Sequence, residues 1–206
     1  MSFETNAKRP YHHGNLRAAL LDAALDEIAE RGPMALSLRE LARRAGVSHA
    51  APAHHFGDKA GLLTAIAADG FERLAAALEA ARPSGGFLEV GLAYVQFAVE
   101  HRPHFEVMFR PDLYRRDDPA VRAAQGAAAR ELYGPAHDAF PEADALRVSI
   151  AGWAFVHGFV SLWLGGNLEI LGDDPVGAAR AVAPALFRAG APPPRASAGG
   201  DSVGSS

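Results

Sequence analysis

Ser37-Leu-Arg-Glu-Leu-Ala-Arg-Arg-Ala-Gly-Val-Ser48 is the stretch on which the fold turns. A serine followed three residues later by a glutamate is a capping box. The serine oxygen accepts from a backbone N–H near Glu40, and Glu40 reaches back. Leu38, Leu41, Ala42 and Ala45 then make a short amphipathic helix. Gly46 and Val47 form a tight turn, and Ser48 is expected to cap a third, very short helix through about His55. Two short helices around a glycine-centred turn let the second lie in a major groove of DNA. Leu41, Ala42 and Val47 are the small or apolar residues that such a pair needs between its helices.

Outward from this stretch the chain reads as helices. A first helix is expected over about Asn15 to Arg31, with Leu16, Leu20, Leu21, Ala24, Leu25 and Ile28 on its apolar face. Gly32 and Pro33 end it. Asp58 is expected to cap a long fourth helix reaching about Arg82, with Leu62, Leu63, Ile66, Leu74 and Leu78 inward. Pro83-Ser-Gly-Gly86 is a break. Helical patterns resume over 87–101, 104–110, 118–133, 142–165 and 175–189, with Pro103, Pro111, Pro119, Pro141 and Pro175 at their starts and stops. Residues 1–13 read as a flexible basic arm. Residues 14–61 read as a three-helix unit, 62–189 as a larger helical bundle, and the Pro-, Gly-, Ala- and Ser-rich 190–206 as a disordered tail. The fold class is all-α. Frequent alanine and sparse β-branched residues agree with it.

Of the 206 residues, 49% are hydrophobic, enough for a substantial core. The absence of cysteine excludes disulfides, thiolate zinc sites and cysteine nucleophiles. The first residues hold no apolar segment of secretory type, so a cytoplasmic protein is expected. The net charge of −4 argues against bulk affinity for nucleic acid, but its distribution matters more. Lys8, Arg9 and Arg17 cluster at the first helix. Arg39, Arg43, Arg44 and Lys59 outnumber Glu40 and Asp58, and His12, His13, His49, His54 and His55 lie among them. No enzyme signature is legible. No metal or other cofactor is expected: Pro103 separates His101 from His104, and the adjacent pairs His12-His13 and His54-His55 diverge on a helix.

Residues 37–48, followed by His55-Phe-Gly-Asp-Lys59 and Leu62-Leu63, resemble the TetR/AcrR family of bacterial regulators, over about residues 14–66. The resemblance implies a DNA-binding surface of Ser37, Arg39, Ser48, His49, Ala50, Ala51, Ala53, His54, His55 and Lys59. Ser37 and Ser48 match phosphate-contacting positions, where helix-start N–H groups also favour anions. His55 and Lys59 match further backbone contacts, and His49, Ala50, Ala51 and His54 face base edges. Phe56 matches a core position. Two departures stand out. Ala53 occupies the place of the family's usual tyrosine, so a hydroxyl contact is missing. Pro52 would be the fourth position of a helix capped by Ser48. The segment also lacks Arg, Lys, Asn and Gln, the best bidentate base readers. Reading must then use His49 and His54, apolar contact of Ala50, Ala51 or Pro52 with thymine methyls, and DNA shape. Lys8 and Arg9 could add minor-groove contacts.

Val148 to Leu164 is nearly all apolar, and no charge occurs between Arg147 and Glu169. Such a helix is expected to be buried on several sides. A membrane span is the alternative, weakened by Gly152, Gly158, Gly165, Gly166, His157 and two serines. Trp153-Ala-Phe-Val-His157-Gly158 resembles the Trp–His–Gly signature of one TetR-type C-terminal class. That resemblance implies a homodimer through the last two long helices, with Ala154, Gly158, Ser161, Val182 and Leu186 at the interface. It also implies a ligand pocket, with Tyr94, Phe97, Phe105, Met108, Phe109, Trp153 and His157 as candidates. The expected effector is a small, mostly apolar molecule with one polar group. Core packing is the other reading of each of these side chains. The expected protein is thus a ligand-responsive repressor on a palindromic, double-stranded DNA operator. A membrane-associated helical protein and a helical-bundle enzyme are the alternatives.

Overall fold

The computed structural model describes residues 13–189, of which 13–15, 84, 143 and 186–189 are described in backbone only. The arm with Lys8, Arg9 and His12, and the tail from Gly190, lie outside the described residues. Among the described residues there are α-helices and short 3-10 turns and no strand. The helices are α1 (His13–Arg31), α2 (Leu38–Arg44), α3 (Ala51–Phe56), α4 (Lys59–Ala81), α5 (Gly86–Glu100), α6 (Arg102–Met108), α7 (Pro119–Ala139), α8 (Glu142–Leu164) and α9 (Pro175–Ala189). The expected all-helical architecture is present.

The punctuation works largely as the residues dictate. Gly32 and Gly46 take φ of 76° and 66°, a region open to glycine, at the ends of α1 and α2. The Asp58 side chain caps α4 by accepting from the Gly61 N–H at 2.8 Å. Three expectations need correction. Ser37 stands at the N-cap of α2 with extended backbone, but its side chain makes no capping bond. Glu40 instead takes two bonds from Arg43, at 2.6 and 2.8 Å, and one from Arg44 at 3.4 Å. Charge-assisted bonds of this kind outcompete a reach back to a neutral N–H, and Arg43 holds the Glu40 carboxyl down to about 2. Ser48 is not the cap of α3 either: Ala50 is, and Ser48 contributes only its carbonyl, to the Ala51 N–H. Pro52 is therefore the second residue of α3, in the first turn, where its missing N–H costs no helical bond. Finally, α7 runs on through Pro135 to Ala139 and does not end near 133, giving up one internal hydrogen bond.

Two apolar cores share one helix. Leu20, Ala24 and Ile28 of α1, Leu41 of α2 and Phe56 of α3 close over Leu62, Leu63 and Ile66 of α4. Farther along α4, Phe71, Leu74 and Leu78 enter a second core with α5, α6, α7 and α8. The expected boundary at 61 falls inside α4, with no break in the helix. Val107, Tyr114 and Val121, from the larger part of the chain, are buried in the first core.

Two features depart from simple amphipathic patterning. Glu27 on α1 is fully buried, with one oxygen bonded to Arg31 at 2.9 Å. In contrast, α8 is not buried all round. Leu146, Ile150 and Leu162 are 49–55% exposed, and Ala154 and Ser161 are exposed beside them. By length and composition alone α8 could cross a membrane. The core helix of a water-soluble protein meets the same test.

A buried His104 on α6 bonds the Asp69 carboxylate of α4 at 2.9 Å. Burial pushes His104 below its usual 6.5 despite Asp69, and Arg73 and His101 push the same way. Burial does the same to His157. The unfolded chain therefore binds these protons at a higher pH than the folded one. The associated stability is complete above 6.5 and is lost as pH falls below it. Urea midpoints should accordingly drop between about pH 7 and pH 5. His104→Gln should flatten that drop, and an unchanged slope in this variant would remove His104 from the explanation.

Candidate nucleic-acid interface and effector domain

The turn and α3 present a continuous exposed surface. Ser37, Arg39, Ser48, His49, Ala50, Ala53 and His54 are all exposed. Ala51, His55 and Lys59 are half-buried, and Pro52 and Phe56 are buried beneath them. Pro52 thus belongs to the support and not to the reading surface. Among the described residues, Arg39 has no ion-pair partner, whereas Arg43 and Arg44 are engaged by Glu40 and Glu30. Arg39 is therefore the α2 guanidinium available to an external anion. Arg17 lies over the Phe56 ring at 5.3 Å, which fixes it near the back of α3.

Two of the expected phosphate contacts are oriented by the protein itself. Lys59 Nζ donates to the Met34 carbonyl at 2.7 Å, tying the α1–α2 turn to the start of α4. His55 lines a polar crevice with Arg17, Asp69, Glu72, Arg115 and Asp118, between α3 and the 109–118 loop. Its ring still meets that of His54 edge to face, with centres 5.5 Å apart.

The junction between the two cores was not legible in the sequence. Arg115, in the loop joining α6 to α7, donates to both Asp58 oxygens at 2.8 and 2.9 Å. Its backbone N–H donates to Thr64 Oγ1 at 3.0 Å, and Thr64 in turn donates to the Ala60 carbonyl. Tyr114, buried beside it, donates to the Met108 carbonyl at 2.9 Å. The carboxylate that starts α4, two residues after α3, is thus held by the larger half of the molecule.

That half holds the aromatic cluster. Tyr94 Oη and His157 Nδ1 share a hydrogen bond of 2.9 Å. Phe109, Phe105 and Trp153 surround the imidazole at ring-centre distances of 4.6, 5.3 and 5.9 Å. Burial also pushes the Tyr94 hydroxyl up, so it keeps its proton. Tyr94, Phe97, Phe105 and Met108 are buried core residues. A cavity of about 240 Å³ lies elsewhere, among α5, α7, α8 and α9, against Phe87, Leu88, Leu132, Trp153, Phe155 and Ala183. Of the seven expected pocket residues, Trp153 alone lines it. Tyr94, Phe105, Phe109 and His157 form the ring cluster, and Phe97 and Met108 are buried in the core packed with it. Of the expected interface residues, Ala154 and Ser161 are exposed, and Gly158 and Val182 are half-buried. The Leu186 side chain lies outside the described residues.

A three-helix reading head joined by a shared helix to a larger helical domain defines a helix-turn-helix regulator with a separate C-terminal domain. Residues 20–66 match the profile of bacterial regulatory proteins of the TetR family. Residues 87–186 match a tetracyclin repressor-like C-terminal domain. The chain belongs to the TetR family, a family of regulatory proteins and not of enzymes. Among curated relatives, it is 44% identical over 59 residues to the HTH-type transcriptional repressor Rv3405c of Mycobacterium tuberculosis. That match covers 29% of this chain and 31% of the relative, so the chain spans about a third of the curated relatives it matches first. A protein of unknown function from Rhodococcus sp. RHA1 is 36% identical, with a TM-score of 0.73 over 88% of this chain and 98% of that one. The TetR-like regulator LfrR of Mycobacterium smegmatis, solved in complex with proflavine, is alike in fold at 21% identity. Its TM-score is 0.62 over 84% of this chain and 95% of that one.

The two roles of Asp58 can be separated. Asp58→Asn keeps an oxygen for the Gly61 N–H and loses the ion pair. That pair is half-exposed, so the loss should be under about 1 kcal/mol. Asp58→Ala loses the cap as well and should cost about 1–2 kcal/mol in urea denaturation. Equal costs for the two variants would mean that the cap contributes nothing.

Proposed function

We propose that this chain is a homodimeric, ligand-responsive transcriptional regulator acting on a palindromic operator in the cytoplasm, and most often as a repressor. The observation that carries the reading is the exposed surface from Ser48 to His54, buttressed by Pro52 and Phe56. Its support is physical: Ser37 and Ser48 offer phosphate contacts, Arg39 is available to an anion, and His49 and His54 are the polar groups left to meet base edges. The name of the Mycobacterium tuberculosis relative favours repression. The proflavine complex of LfrR favours a small-molecule effector. The Trp153, His157 and Gly158 pattern favours a Trp–His–Gly subclass of C-terminal domain.

Dimerisation uses the exposed face of α8, where Leu146, Ile150, Ala154, Ser161 and Leu162 leave apolar surface uncovered. A two-fold pair of chains sets two reading heads one helical turn of DNA apart, about 34 Å. Effector binding favours a state in which α4 shifts this spacing, and operator affinity falls.

The test is a gel shift with DNA from the flank of the chain's own gene, at several salt concentrations. Affinity should fall steeply with salt, and a flat response would overturn the reading. Lys59→Ala should weaken every DNA sequence alike and lower the salt slope by about one. A change confined to sequence preference would show that Lys59 does not act on phosphate.

A further inference from the structure

We propose that the cavity between α5, α7, α8 and α9 is a binding site for an uncharged, flat hydrocarbon-like molecule of about two fused rings. As the effector site it rests on the regulator reading and narrows the ligand class. The lining carries no ionisable side chain, and its polar side-chain groups are the Trp153 indole N–H, which is engaged by Tyr94, and the Ser149 hydroxyl. That hydroxyl is buried and already donates to the Ala145 carbonyl at 2.8 Å. A ligand there gains no ion pair, so any charge it carried would be desolvated without compensation. An apolar cavity of about 150 Å³ stays dry and takes up benzene. The volume here, about 240 Å³, suits a larger ring system. Phe87, Trp153 and Phe155 supply aromatic walls.

The shape of the site depends on Gly152. A Cβ at this position would lie 2.3 Å from the Phe87 ring. The glycine therefore lets the Phe87 ring seat directly on the α8 backbone and form a wall of the cavity. Phe87 follows Gly85 and Gly86, whose φ of 156° and 69° suit glycine at the start of α5. The site adjoins the Tyr94–His157 cluster, with Trp153 bordering both. Within that cluster a paired hydroxyl and imidazole would demand a polar ligand group.

Calorimetric titration of the full chain with naphthalene and with 2-naphthoate tests the assignment, since the two differ by one carboxylate on the same rings. Naphthalene should bind saturably, and 2-naphthoate at least about tenfold more weakly. Ala183→Leu should abolish the binding by filling the cavity from α9. Ala151→Phe, at an exposed lining position where folding is not at risk, should weaken it severalfold. Equal affinity for the two probes, no saturable naphthalene binding, or binding untouched by both variants would overturn the proposal. Affinity that declines as protein concentration rises would assign the cavity to a second copy of the chain, and overturns it equally. The titration contains no DNA, so a failed gel shift would sink the regulator reading and leave this result standing.

Discussion

The structure depends on one helix being held at both ends by different cores. The first turns of α4 are buried against α1 and α3, and its later turns against α5, α6 and α7. A continuous helix transmits displacement along its axis far better than a linker does, because bending it breaks backbone hydrogen bonds. Asp58 makes this coupling specific. The same carboxylate caps α4 and receives Arg115 from the loop after α6. A change of packing around α6 therefore reaches the residues next to α3 through charge-assisted bonds as well as through the helix.

The reading head has an uncommon balance. Its scaffold is stiff: Pro52 and Phe56 are buried, Lys59 grips the α1–α2 turn, and Glu40 and Glu30 occupy two of the three α2 arginines. Its exposed surface is small and lightly functionalised, with histidines and alanines. Such a surface gains affinity from phosphate contacts and docking geometry, and discriminates through shape and methyl contacts more than through bidentate bonds.

Much of this was legible in the chain because it is local. Helix caps, glycine turns and proline breaks act within a few residues, so α5, α6, α8, α9 and the helix-turn-helix fall close to where patterning puts them, while α7 overruns its expected end through Pro135. Local rules failed where two partners competed. Glu40 had a capping role open to it, but Arg43 and Arg44 lie on its own helix face three and four residues on. The start of α3 moved past Ser48 because a proline is tolerated in the first turn of a helix and not beyond it. Glu27 could not have been placed in the core by any hydropathy rule, since its burial rests on α1 packing and on the Arg31 bond.

The stretch from Ser37 to Lys59 marks the division. By itself the sequence determined that this is a helix-turn-helix, that it lacks the usual base-reading side chains, and that a long helix carries it into an all-α bundle. Tertiary structure alone decided that His54 faces outward while His55 turns into a crevice, that Arg115 holds Asp58, and that the cavity lies beside Phe87 and not around His157. Each of those depends on groups brought together from distant parts of the chain. Their meeting is set by how helices pack, and no periodicity in one segment encodes it.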